Sequence, residues 1–161
     1  MRHLLKLLAL PALLLALPAA ADEGVHIVDP YARILTTGAG IVYFTINNHS
    51  AEADTLISVQ TDIGGAMLMT SAEDANGVMK MTMVMEGLAV GAGESHALQP
   101  AGDHIMLMDL TTEPGQGESF QVILTFAHAG EVALSVPVDN TRRTAPGMGP
   151  TPFDVLSGEA D

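Results

Sequence analysis

Several residue types that define common classes of functional protein are missing or scarce in this chain of 161 residues. It contains no cysteine, which excludes a disulfide scaffold, a cysteine-ligated zinc or iron–sulfur site and a thiol nucleophile. It has no tryptophan, and 6 basic side chains stand against 19 acidic ones, for a formal net charge of −13. A charge of that sign disfavours binding to a nucleic-acid backbone or to an anionic membrane surface.

Long apolar runs are also lacking, apart from one at the amino terminus. Arg2 and Lys6 precede an apolar run over residues 7–17. The small residues 19–21 that follow match the cleavage site of a signal peptidase. The run has about half of the roughly 20 residues that span a bilayer, so stable membrane insertion is not expected. We therefore expect a secretory signal peptide at residues 1–21 and a periplasmic protein. A lipid anchor at the cleavage site would need a cysteine.

Short segments rich in β-branched residues, separated by turn residues, make up most of the remaining chain. No stretch carries a sustained 3.6-residue apolar period. These features predict an all-β domain over residues 22–140, a Greek-key β-sandwich or small barrel of eight or nine short strands, and a flexible tail at 141–161. The predicted strands are 25–34, 40–47, 54–61, 66–70, 78–86, 95–99, 104–110, 119–127 and 131–138.

Methionine is unusually frequent, with ten residues in the chain. Residues two apart share one face of a strand, so methionines that alternate along a strand line one side of it. His104 is expected on the same side of its strand as Met106 and Met108. The eight methionines that alternate in this way are Met67, Met69, Met79, Met81, Met83, Met85, Met106 and Met108.

This clustered set of thioethers has two interpretations. Methionine is a flexible apolar residue that fills gaps in a core, and packing is the simple explanation for any single one. Its concentration in three segments instead favours a Cu(I) site, because thioether sulfur is a soft, neutral ligand that prefers Cu(I) to harder ions. In an oxidising compartment a thioether also has the advantage that it forms no disulfide.

The other candidate residues point to no chemistry. His26, His49, His96 and His128 are scattered, which indicates surface or structural roles. The chain has no phosphate-binding glycine loop, no GxSxG motif and no HExxH motif. We therefore do not expect an enzyme.

Several segments resemble the PCu(A)C-type periplasmic copper chaperones. They are Asp29–Arg33, Gly40–Asn48, Gly77–Met81 and, after a Pro-Ala-Gly turn, His104–Met108. The likeness covers about residues 25–138. It implies a cupredoxin-like β-sandwich that binds Cu(I) through an early histidine, a methionine and a later His-x-Met pair.

The resemblance, carried over position by position, implies the metal ligands. His104 and Met106 match the later pair, Met81 matches the middle methionine, and Met69 stands where the early histidine is expected. The exchange either leaves a site of three thioethers and one imidazole, which we favour, or marks a degenerate site. Four further methionines are expected as spare ligands or as a hydrophobic wall: Met67, Met79, Met83 and Met108.

By the same resemblance the protein is expected to carry Cu(I) to a membrane-bound acceptor, such as the copper centre of cytochrome c oxidase. Two other functions stay open. The methionines could sequester several Cu(I) or Ag(I) ions, or a metal-free β-sandwich adaptor could use them as an adaptable protein-binding surface.

Overall fold

The computed structural model describes residues 24–35, 38–73, 75–100 and 102–142. The expected signal peptide and residues 143–161 of the expected tail lie outside the described residues. None of the described residues forms a helix that could span a bilayer. The ten strands are β1 (Val25–Leu35), β2 (Ala39–Asn48), β3 (Asp54–Thr61), β4 (Gly65–Glu73), β5 (Met79–Met83), β6 (Leu88–Val90), β7 (Ser95–Leu98), β8 (His104–Met108), β9 (Ser119–Phe126) and β10 (Gly130–Pro137).

The strands form two antiparallel sheets. The first has the order β1-β2-β8-β4-β5, and the second has the order β10-β9-β3-β6. One edge of β2 is shared by two partners, since β8 pairs along Gly40–Val42 and β7 pairs along Phe44–Asn47. The chain crosses repeatedly between the sheets, so β4 and β8, which are distant in sequence, become neighbours.

The core lies between the two sheets and follows from the alternation of apolar residues. In β9, Phe120, Val122, Leu124 and Phe126 are buried while the residues between them are more exposed. Burial of each such side chain contributes about 1.5–3 kcal/mol relative to leaving it in water. This alternation is the reason that the segment forms a strand with one face in the core.

The predicted all-β sandwich is confirmed, with two corrections to its strands. The sequence predicted eight or nine strands, but the described residues contain ten, because β6 was missed. Its three residues are too short to show an alternating pattern. The strand predicted at 78–86 is shorter, since β5 ends at Met83 and the chain bends before Gly87.

Asp54, at the start of β3, is a buried carboxylate whose hydrogen bonds connect this strand to the turn after β9. Only 4% of the residue is exposed, and it accepts backbone N–H bonds from Thr55, His128 and Ala129 at 2.7–2.9 Å. Desolvation raises the pKa of Asp54, but the three backbone donors outweigh it and lower the pKa below its ordinary value. The ionised form therefore stabilises the fold.

We predict that Asp54→Asn lowers the free energy of unfolding at pH 7 by about 1–3 kcal/mol, because the amide leaves a buried backbone N–H without an acceptor. A carboxyl group with a lowered folded-state pKa stabilises the protein above its unfolded pKa. That contribution is lost as pH falls from about 4 through the lowered pKa. Urea unfolding at pH 7 and at pH 3 should therefore show a smaller difference between variant and parent at pH 3.

The matched control is Glu131→Gln, which removes an exposed carboxylate from β10. It should leave stability nearly unchanged. An equal loss for Asp54→Asn at both pH values would contradict a stabilising ionised carboxylate.

Candidate metal centre

The pairing of β4 with its two neighbours determines which side chains meet. Met69 on β4 lies opposite His104 on β8 and opposite Met83 on β5. One step along the sheet, Met67 lies opposite Met106. Side chains directly opposite each other in an antiparallel pair have Cβ atoms roughly 4.5–5.5 Å apart. The thioethers and the imidazole are therefore near neighbours on one face.

This face is the one turned away from the core. The intervening residues Leu68, Ile105 and Leu107 are buried in the core between the sheets. Because successive side chains of a strand point to opposite faces, the methionines and His104 lie on the outer side. The predicted alternation is confirmed, and three strands present their thioethers to the same surface.

His104 is held in a defined orientation. Only 4% of the residue is exposed, and its Nδ1 lies 2.9 Å from the carbonyl oxygen of Gly102. A carbonyl oxygen can only accept a hydrogen bond, so Nδ1 carries the proton and donates it. Nε2 of the neutral ring is then left with a free lone pair, as in a metal-ligating histidine whose other nitrogen is anchored.

Two tyrosines form a wall beside His104. The Tyr43 ring lies 6.4 Å from the His104 ring and 5.2 Å from the Tyr31 ring, measured between centroids. The Arg142 guanidinium covers Tyr31 at 4.3 Å and forms an ion pair with Asp29. The packed part of the chain thus extends at least to Arg142, into the segment expected to be a tail.

The wall is uncharged at physiological pH. Desolvation, followed by the nearby Tyr43, raises the pKa of Tyr31 to about 12, and desolvation also raises the pKa of Tyr43. Both phenols therefore stay protonated at neutral pH. Tyr43 therefore excludes water from one side of the His104 imidazole without adding charge there.

Exposure of the thioethers increases toward the edge strand. Met67, Met69, Met106 and Met108 are partly buried. In contrast, the exposed fractions are 64% for Met81, 43% for Met83 and 82% for Met85. Side chains this exposed gain little from burial, so core packing does not explain them. The side chain of Met79, on β5 opposite Glu73, is outside the described part of the structure.

Three of the four residues expected as ligands, Met69, His104 and Met106, occupy adjacent positions, whereas Met81 lies on the far side of β4 and away from Met106. Met69 and His104 are direct partners, and Met106 follows His104 on the same face of β8. Met81 lies opposite Ser71 and is therefore diagonal to Met69. Met83, which sequence reasoning ranked below Met81, is the β5 residue directly opposite Met69.

The donor set is soft. Among the residues that the structure describes, no three His, Asp or Glu side chains are grouped so that they could hold a metal ion. Thioethers with one imidazole suit a soft monovalent cation better than a hard divalent one. Ser71 Oγ, beside Met81, is buried without a hydrogen bond to the described residues.

Comparison with known proteins gives the family. The LpqE-like family model, described as "Putative lipoprotein LpqE-like", matches residues 25–138. A Rickettsia prowazekii (strain Madrid E) protein without a described function is 31% identical over 126 residues, covering 74% of this chain and 69% of that protein. A protein of Leifsonia xyli subsp. xyli (strain CTCB07) named "Putative lipoprotein Lxx21020" is 24% identical over 138 residues, or 82% of this chain and 83% of that protein.

Solved structures give the fold. The apo PCuAC domain from PmoF1 has a TM-score of 0.60 at 22% identity, covering 74% of this chain and 97% of that domain. The Cu(I) form of DR1885 from Deinococcus radiodurans has a TM-score of 0.54 at 26% identity, covering 79% of this chain and 82% of that one. The chain belongs to the LpqE-like family and has the cupredoxin-like fold of PCuAC domains. The resemblance predicted from the sequence is confirmed.

We predict that neutral His104 is the Nδ1–H tautomer, because Nδ1 donates to the Gly102 carbonyl. Two-bond ¹H–¹⁵N spectra of the ¹⁵N-labelled protein at neutral or higher pH should show an unprotonated Nε2. An Nε2–H tautomer would contradict this orientation and remove the free lone pair from the face.

Proposed function

We propose that this protein binds Cu(I) and passes it on within the cell envelope. The observation that carries the proposal is the position of Met69, in register between His104 and Met83 and next to the Met67–Met106 pair. This arrangement concentrates soft donors and one oriented imidazole on a single sheet face. Similar solved structures support it, since they include a Cu(I) form of DR1885 and a copper-bound PCuAC domain from PmoF2.

We assign the ligands Met69, Met81, His104 and Met106. Met69 takes the place of the family's early histidine and keeps the site selective for Cu(I), because a thioether is a poorer ligand than imidazole for Cu(II). Met83 is close enough in register to substitute for Met81. The Tyr43 ring and the partly buried Met67 form the hydrophobic surroundings that limit access of water to the metal.

Copper bound by these ligands should remain exchangeable. All four donors are neutral, so they leave the positive charge of Cu(I) uncompensated. The face is also open at β5, where a receiving protein could approach. The acidic surface, from a chain with a formal net charge of −13, should steer the protein toward a basic patch of its acceptor and should do so less at high salt.

We further propose export to the periplasm through residues 1–21 and delivery to a membrane-bound acceptor, such as the copper centre of cytochrome c oxidase. The lipoprotein descriptions of the family and of the Leifsonia relative support an envelope location. No enzymatic activity is proposed, since neither the motifs nor the donor set provide a nucleophile with its base.

Sequestration of several soft cations is the second candidate function. The observation that favours it is the exposure of Met83 and Met85, two thioethers in addition to the four assigned ligands. A transfer protein should bind about one tight equivalent, whereas a store should bind several of similar affinity. A metal-free adaptor would use the same face for a protein and show no competition with a Cu(I) chelator.

We predict that the double variant His104→Ala/Met106→Ala loses Cu(I) affinity by more than the roughly 10–100-fold that outer-shell changes cost, because two of four ligands are removed. The measurement is an anaerobic titration against a chromogenic Cu(I) chelator. Met108→Leu, on the same strand face, is the matched control and should bind as the parent does. Unchanged affinity in a double variant that keeps its far-UV circular dichroism would overturn the ligand assignment.

We also predict that Met69→His raises Cu(II) affinity by roughly tenfold or more, equivalent to about 1.4 kcal/mol, because imidazole is a preferred Cu(II) ligand. Competition with a Cu(II) chelator measures this change. Met108→His places the same imidazole at the far end of the face and should have a much smaller effect. Equal gains in both variants would show that any surface histidine suffices and that position 69 is not a ligand position.

A further inference from the structure

Three methionines beyond the assigned ligands line one cavity. Met67, Met83 and Met85 border a space of about 220 Å³ between β3, the amino-terminal half of β4 and the chain at the end of β5. Apolar residues such as Ile57 and Val84 complete its walls. The core residues Leu56 and Leu68 also border the cavity, which therefore adjoins the core, and two of its methionines, Met83 and Met85, are exposed.

We infer that Met67, Met83 and Met85 form a second Cu(I) site, an exchange position at the edge of the sheet through which copper enters or leaves. This inference rests on the proposed function, which it deepens by assigning a route to the centre at His104. Three neutral thioethers provide a softer and weaker donor set than one that includes imidazole. A weaker site at the exposed edge is what transfer to a partner requires.

The strand register brings the three side chains together. Met67 precedes Met69 by two residues on β4, and Met83 lies opposite Met69. The backbone continues this pairing beyond β5, since the Val84 N–H donates to the Leu68 carbonyl at 3.0 Å. Met85 therefore follows at the level of Met67, and the three thioethers occupy neighbouring positions.

The turn after Met85 holds this arrangement against β3. Gly87 has a φ of +81°, and a Cβ at that position would lie 2.7 Å from the Leu56 carbonyl oxygen. Only glycine fits both the conformation and the close approach. The turn thus fixes the end of the Met83–Met85 segment beside the cavity, while Met85 itself stays 82% exposed and accessible to a partner.

The second site adjoins the assigned centre through two pairs. Met67 lies opposite Met106, and Met83 lies opposite Met69. Copper can therefore move between the sites by exchanging one thioether at a time, with one Cu–S bond forming as another breaks. No electron or proton is transferred, and the ion keeps sulfur ligands throughout.

The test is an anaerobic Cu(I) titration of the full chain labelled with ¹³C at the methionine ε-methyl groups. We expect the first equivalent to shift the resonances of the assigned ligands Met69, Met81 and Met106, and a second, weaker equivalent to shift those of Met67, Met83 and Met85. Met85→Leu replaces an exposed thioether by a side chain of similar size. It should weaken the second equivalent by tenfold or more and leave the first unchanged.

Two further variants separate the possible results. His104→Ala should weaken the first equivalent and retain the one that depends on Met85, whereas Met108→Leu should change neither. One equivalent that depends on His104 but not on Met85, or a second that shifts other methionines, would overturn the second site and leave the proposed function standing. A wild-type chain that binds no Cu(I) would overturn both.

Discussion

The antiparallel pairing of β4 with β8 is the constraint on which the site depends. The register of paired strands determines the face on which each side chain lies, because a slip of one residue would exchange the two faces of a strand. With Met69 opposite His104, the apolar residues Leu68, Ile105 and Leu107 enter the core and the thioethers turn outward. The hydrophobic effect that stabilises the sandwich therefore also fixes the donor face.

The environment of that face changes from buried at one side to exposed at the other. Near β2, Tyr43 and the buried His104 form a protected, uncharged environment, and the Arg142 guanidinium covers the neighbouring Tyr31. Toward β5 the thioethers become more exposed, and the exposed fraction is largest for Met85. A metal ion that is held at the protected side and exchanged at the open side would use both features and would need no conformational change of the protein.

Much of this could be predicted from local pattern, and the remainder depends on contacts between distant segments. The alternation of Phe120, Val122 and Leu124 predicted a strand, and the alternation of the methionines predicted their shared faces. The sequence could not show that Met83 lies opposite Met69, since register is set by the whole sheet. It likewise gave no sign of the Tyr31–Arg142 contact, which joins residues from opposite ends of the domain.

In the proposed copper centre, Met69, His104 and their neighbouring thioethers hold Cu(I). X-ray absorption at the copper edge, on protein loaded with one equivalent of Cu(I), tests it most directly. We expect Cu(I) in a first coordination shell dominated by sulfur with a single imidazole nitrogen, and one fewer sulfur in Met69→Leu. A shell of nitrogen and oxygen alone, or one identical in Met69→Leu, would contradict it.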